Sequence, residues 1–146
     1  PLDRIERWNW LYGPRGVTQH QCVLPDRASV APLLQCLRES GAGSFLTVIK
    51  DCGSEGEGLL SFPRSGVSVA LDLPIDGRTP EVVNALNQAV IAGGGRIYLS
   101  KDGFTRREDF EVMEPRRHRF DEVRRRWDPE GGIRSAQSVR LFGDSP

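Results

Sequence analysis

The chain has 146 residues, 38% of them apolar, and its twenty basic side chains cancel twenty acidic ones. That length suits one domain around one core, since domains commonly run to about 100–150 residues. The absence of a basic excess argues against a nucleic-acid partner, and no apolar run approaches the ~20 residues that span a bilayer.

The chain opens on Pro1 rather than Met and carries no charged-then-apolar leader. This predicts a piece of a longer polypeptide. The stretch from Leu2 to Tyr12 is rich in aromatic residues. It either meets a partner segment or packs on this chain's own core. Cys22, Cys36 and Cys52 are scattered and odd in number, and the histidines are His20 and His118 alone. Neither zinc spacing nor a Ser-His-Asp triad can be assembled from them, so no metal is expected. A reducing setting, cytoplasmic or membrane-peripheral, is the default.

Tyr12-Gly13-Pro14-Arg15-Gly16 reads as a turn. Val17 to Leu24 follows as a strand, with Val17, Gln19, Gln21 and Val23 on one face and Thr18, His20, Cys22 and Leu24 on the other. Ser29 is placed to cap a helix with Pro32 in its first turn and a stripe of Val30, Leu33, Leu34 and Leu37. Gly41 stops it. Ser44 to Lys50 reads as a second strand, and the glycine-rich run from Cys52 to Gly58 as a hairpin-like connection. Leu59 to Phe62 is expected to be a strand end, stopped by Pro63. From Gly66 the alternation is cleaner: Val67, Val69, Leu71 and Leu73 point one way, and Ser68, Ala70 and Asp72 the other. Such a sheet has one covered face and one polar or ligand-facing side.

Thr79-Pro80-Glu81 opens a second helix, with Thr79 as cap and a buried stripe of Val82, Val83, Leu86, Ala89 and Val90. Gly93-Gly94-Gly95 ends it. A β-rich run, Arg96-Ile97-Tyr98-Leu99-Ser100, then delivers Lys101 and Asp102 to its far end. A lysine there is either solvated or aimed at a ligand. The glycines follow a helix instead of preceding one, so they are not a phosphate cradle.

Strand, helix, strand, strand, helix, strand is the split β-α-β order. The fold class expected is α+β: a ferredoxin-like βαββαβ antiparallel sheet with helices on one face, plus C-terminal helices. Thr105 to Glu108 has capping-box spacing and starts a short helix with Phe110 and Met113. Phe120, Val123 and Trp127 mark another helix with an arginine-rich outer face, and Ile133 to Phe142 closes the chain. Acidic residues interleave with those arginines, which suits a solvated, salt-bridged face more than a nucleic-acid surface. The expected divisions are a connecting segment at 1–16, the ferredoxin-like domain at 17–103 and a helical extension at 104–146.

Several phrases, taken in order, resemble a known family. They are Trp8-Asn9-x-Leu11-Tyr12-Gly13, Gln19-His20-Gln21-Cys22-Val23-Leu24-Pro25, Ser40-Gly41-Ala42-Gly43-Ser44-Phe45-Leu46, Leu60-Ser61-Phe62-Pro63, Leu71-Asp72-Leu73-Pro74, Gly94-Gly95-Arg96-Ile97-Tyr98-x-x-Lys101-Asp102 and Asp128-Pro129. The set resembles the C-terminal substrate (cap) domain of FAD-linked oxidoreductases of the vanillyl-alcohol oxidase superfamily, nearest the decaprenylphosphoryl-ribose 2-oxidase branch.

The resemblance implies that an FAD-binding domain, absent from this chain, holds most of the cofactor. It also implies that the whole protein oxidises an alcohol carbon of a sugar-like or polyol substrate by passing hydride to the flavin. By position, Lys101 matches the family's catalytic lysine at the flavin and substrate edge, and Tyr98 a tyrosine near the flavin. Gln19, Gln21, Lys50 and Ser68 fall at substrate-binding positions. There are departures: His20 stands where the branch commonly has tyrosine, Ser68 and Ala70 where it carries asparagine and cysteine, and Val67 replaces a tryptophan. They bear on which substrate is taken, not on the reaction class. A severed cap would expose its partner-facing surface, so a homodimer through that patch is expected. The other reading open at this point is a stand-alone ferredoxin-like domain that binds a small molecule or a protein without catalysis.

Overall fold

The computed structural model describes residues 12–145 and is built around β1 (Val17–Leu24), which pairs antiparallel with β3 (Gly66–Pro74) along its whole length. β2 (Thr47–Cys52) flanks β3, and β4 (Arg96–Ile97) flanks β1, so the sheet order is β2-β3-β1-β4. Helices α1 (Val30–Glu39) and α2 (Thr79–Ala92) fill the two crossovers. The chain therefore has the expected ferredoxin-like βαββαβ arrangement.

Alternation along the strands decides which residues meet the helices. Cys22 and Leu24 of β1 and Val67, Val69, Leu71 and Leu73 of β3 turn to one side, and pack with Val30 and Leu33 of α1 and Val82, Val83, Leu86 and Val90 of α2. Fully burying each such side chain is worth about 1.5–3 kcal/mol. Gly95 lies where α2 returns to the sheet: a Cβ there would come 2.8 Å from the Val23 carbonyl oxygen. Close backbone approach of this kind requires glycine.

Three helices follow: α3 (Arg107–Met113), α4 (Arg117–Trp127) and α5 (Ala136–Phe142). Phe110 and Met113 are buried as expected. Phe142 ties the three together, its ring centroid 5.3 Å from that of Phe110 and 5.6 Å from that of Phe120. No helix among the described residues is long and apolar enough to cross a membrane. The aromatic run through Leu11 lies outside the described residues, as does most of the segment 1–16.

Several local expectations are corrected. The strand drawn through Lys101 stops at Ile97. The Tyr98 N–H still bonds the Gln21 carbonyl at 2.7 Å, but the chain then closes a 3-10 turn, Leu99–Lys101, with the Lys101 N–H on the Tyr98 carbonyl at 2.9 Å. Leu59 to Phe62 is turn and coil inside a long loop, 53–65, whose shape is set by guanidinium contacts and not by a ladder. Ser29 and Thr105 make no cap: Asp26 accepts from the Ser29 N–H at 2.8 Å, and Thr105 turns inward instead. Thr79 is the first residue of α2, and its hydroxyl accepts from the Asp76 N–H at 2.8 Å. The α4 stripe is not a core stripe, because Val123 and Trp127 are exposed while Arg117 is buried.

Candidate functional site

The sheet face turned away from α1 and α2 carries a polar row. Gln19 and Gln21 sit two apart on β1, opposite Asp72 and Ala70 of β3. Gln19 Nε2 donates to Asp72 Oδ1 at 2.5 Å, and Gln21 Nε2 donates to Ser68 Oγ at 3.0 Å. Donation through nitrogen leaves each amide oxygen to accept from a ligand hydroxyl. Ser68 and Asp72 are buried, so these bonds hold the amides against a fixed wall.

Lys50 extends the row outward, standing opposite Ser68 in the β2–β3 ladder. It is exposed on the outer strand, and the open groove it lines with Arg27, Ile49 and Asp51 is distinct from the cleft beside Lys101. The structure thus joins Gln21 to Ser68 and Gln19 to Asp72, and sets Lys50 on the strand that flanks β3 on the side away from β1.

At the other end, β4 is too short to cover β1. Gln19, Gln21, Tyr98 and Lys101 converge there on one cleft, together with Thr18 and His20. Its closed part measures about 10 Å³, the room one water needs. A sugar ring does not fit inside. Anything larger lies across an open face that this chain bounds on one side only.

Tyr98 is held by its backbone bond to Gln21 and by Phe62, whose ring stacks on it at 4.6 Å. Phe62 comes from the 53–65 loop, and a charge cluster with a buried centre, Arg96 and Glu114, straps that loop down. Arg96 and Arg116 both reach Glu55, at 2.5 and 2.7 Å, and both donate to the Ser61 carbonyl, at 3.0 and 3.1 Å. Glu114 accepts from the same two guanidiniums. Burial pushes its carboxyl up to about 7; the Arg96 charge opposes the rise and Glu55 adds to it. The expectation of salt-bridged arginines is met at Arg116, Arg117 and Arg124, which pair with Glu114, Asp121 and Asp144.

His20 lies beneath the cleft. It is 5% exposed, and its Nε2 is 3.0 Å from Asn87 Oδ1, while Asn87 Nδ2 donates to Thr105 Oγ1 at 3.0 Å. Burial pushes its pKa below 6.5, with the Asn87 bond and the Asp102 charge acting the other way. A neutral imidazole serves as a brace between β1, α2 and the Lys101 turn. Among the described residues no group of His, Cys, Asp and Glu is placed to hold a metal.

Sequence reasoning missed three members of this neighbourhood. Phe62, and Arg140, whose Nη2 donates to Asp102 Oδ2 at 2.8 Å, carry no local signal of these contacts, because both act across long sequence separations. Asp72 was visible as a polar residue on the Ser68 face, and its spacing from Ser68 was the available clue.

No family model matches the chain. It is 38% identical over 143 residues to the decaprenylphosphoryl-β-D-ribose oxidase of Mycolicibacterium smegmatis, an overlap of 97% of this chain and 31% of that protein. This chain is related to that oxidase over nearly its whole length. The branch to which the ordered phrases pointed is the branch of this relative. A Streptomyces coelicolor protein, described as an uncharacterized protein in the mprA 5′ region, is 32% identical over 111 residues, covering 75% of this chain and 30% of its own length. The chain thus spans less than a third of either relative.

Proposed function

We propose that this chain is the substrate (cap) part of an FAD-dependent oxidoreductase that oxidises an alcohol carbon of a sugar-like or polyol substrate. In this reading 17–103 form the substrate domain, 104–146 a helical extension and 1–16 the connection to an upstream flavin domain. The observation that carries it is the convergence of two glutamines, a tyrosine and a lysine on a cleft that this chain only half encloses. The similarity to a ribose oxidase supports the same reaction class.

The described residues offer FAD a face, not a pouch. The three glycines follow α2, and Gly95 is filled against the Val23 carbonyl, so no cradle for a pyrophosphate forms there. Tyr98 and Lys101 fit an edge contact and would meet the cofactor there. When bound, FAD supplies the hydride acceptor.

The chain's own residues bind and polarise. Gln19 and Gln21 accept hydrogen bonds from substrate hydroxyls through their amide oxygens, and Ser68 keeps the second amide in place. The Lys101 ammonium donates to the reacting oxygen and stabilises the negative charge that develops on it. Lys50, at the outer edge, suits an anionic group farther along the substrate. The exposed apolar run Phe45, Leu46, Val48 and Ile49 supports a contact with the flavin domain, or with a second copy where that domain is lacking.

The test is expression of the protein joined to its upstream coding sequence. A bound-flavin absorption band that sugar substrates bleach is expected. Lys101→Met should keep the band and slow the bleaching by about 10²- to 10³-fold, the usual cost of losing one donor to a developing oxyanion. A protein that stays colourless under flavin reconstitution overturns the reading.

A further inference from the structure

We propose that Arg140, on the C-terminal helix, is a positioning residue for Lys101: by holding Asp102 it keeps the neighbouring ammonium unpaired and available to a ligand. The inference rests on the role given to Lys101 above.

Lys101 and Asp102 are adjacent and oppositely charged, and a free carboxylate beside an ammonium captures it readily. Here the carboxylate is fully engaged elsewhere. Asp102 Oδ1 accepts from the backbone N–H groups of Phe104 and Thr105, at 3.2 and 2.9 Å. Its Oδ2 accepts from Arg140 Nη2 at 2.8 Å, and the Asp102 side chain is only 5% exposed. Lys101 itself is exposed, and no hydrogen bond or ion pair joins its ammonium to another described residue.

The same helix fixes the turn at both ends. Arg140 also donates to the Thr105 carbonyl, and Gln137 Nε2 donates to the Leu99 carbonyl at 2.6 Å. From inside, Asn87 holds the Thr105 hydroxyl. The planar fork of arginine suits this work, since one guanidinium meets a carboxylate and a carbonyl together. Removing it frees Asp102 Oδ2 to pair with the ammonium of Lys101, its neighbour in the chain.

The chain contains only two lysines, Lys50 and Lys101, so amine-selective chemistry reads one against the other. The protein is acetylated briefly with an N-hydroxysuccinimide ester, and labelling at each lysine is measured by peptide mass spectrometry between pH 7 and 9. Arg140→Gln is expected to lower the Lys101-to-Lys50 ratio roughly 1.4- to five-fold, the span a solvent-exposed ion pair gives. Adding Asp102→Asn should restore the ratio. A purely structural contact would not be rescued this way, because the second substitution removes a further tie from the turn.

An unchanged ratio in Arg140→Gln, or a double variant that stays low, overturns the proposal. Asp102→Asn alone is the milder variant and should leave the ratio at its starting value. A rise there would mean that Asp102 already holds Lys101, and would overturn the proposal too. The ratio is read without flavin or substrate, so a colourless protein would sink the oxidoreductase reading while leaving this one intact.

Discussion

The ring of Phe62 lies 4.6 Å from that of Tyr98 and 27° from parallel. One wall of the Lys101 cleft is therefore braced by a residue from the β2–β3 loop. Phe62→Ala should destabilise the fold by about 3–5 kcal/mol, as buried Phe truncations do. In a cycle with Tyr98→Leu, a coupling of about 0.5–1.5 kcal/mol is expected from the ring pair itself. Denaturant midpoints of the four proteins measure it, and strict additivity would show that the rings do not support one another.

Gly66 opens β3 at φ 145°, and a Cβ there would lie 2.0 Å from the Leu24 carbonyl oxygen. Backbone cannot move aside as a flexible side chain can. Gly66→Ala should cost about 3 kcal/mol or more, combining a strained dihedral with a clash. A thermal midpoint within a degree or two of the parent's would contradict this.

Asn87 is fully buried between His20 and Thr105. Asn87→Leu leaves an imidazole N–H and a hydroxyl without partners, at about 1–3 kcal/mol each. The loss should be felt in the turn that carries Lys101. Faster amide hydrogen exchange over 99–105 than over β3 is the expected signature, and uniform acceleration across both would argue against a local brace.

Glu114 predicts an unusual pH trend. Its carboxyl is raised from 4.5 to about 7 in the folded chain, so the folded state holds that proton more tightly than the unfolded one. Its contribution is present below about 4.5 and is lost as pH rises through 7, a fall on the order of 1–3 kcal/mol. Glu114→Gln should flatten this part of the curve. Urea midpoints for both proteins between pH 5 and 8 test it; parallel curves would rule the carboxyl out as the source.

The βαββαβ order was legible because every element that builds the sheet core carries a local period. Val67, Val69, Leu71 and Leu73 alternate, and Val82, Val83, Leu86 and Val90 recur at helical spacing. The polar face was legible from the same alternation, since Gln19, Gln21 and Ser68 fall on the opposite parity. Features that depend on contacts distant in sequence leave no such local trace. Tyr98 and Leu99 suit a strand, yet pairing with β1 ends at the Tyr98 N–H on the Gln21 carbonyl, and hydrogen bonds from Gln137 and Arg140 hold the turn that follows. Val123 and Trp127 look like a core stripe, but Phe142 fills the space between α3 and α4 and leaves them in solvent. Thr105 resembles a cap until Asn87 takes its hydroxyl.

The brevity of β4 has an evolutionary corollary. Had that strand run on to Lys101, main-chain pairing would have dictated where the amine stands, and no single substitution could have moved it. As built, its address is written by three side chains, at positions 87, 137 and 140, that belong to helices outside the sheet. Drift in those helices can retune the lysine stepwise while the ladder beneath it goes on folding as before.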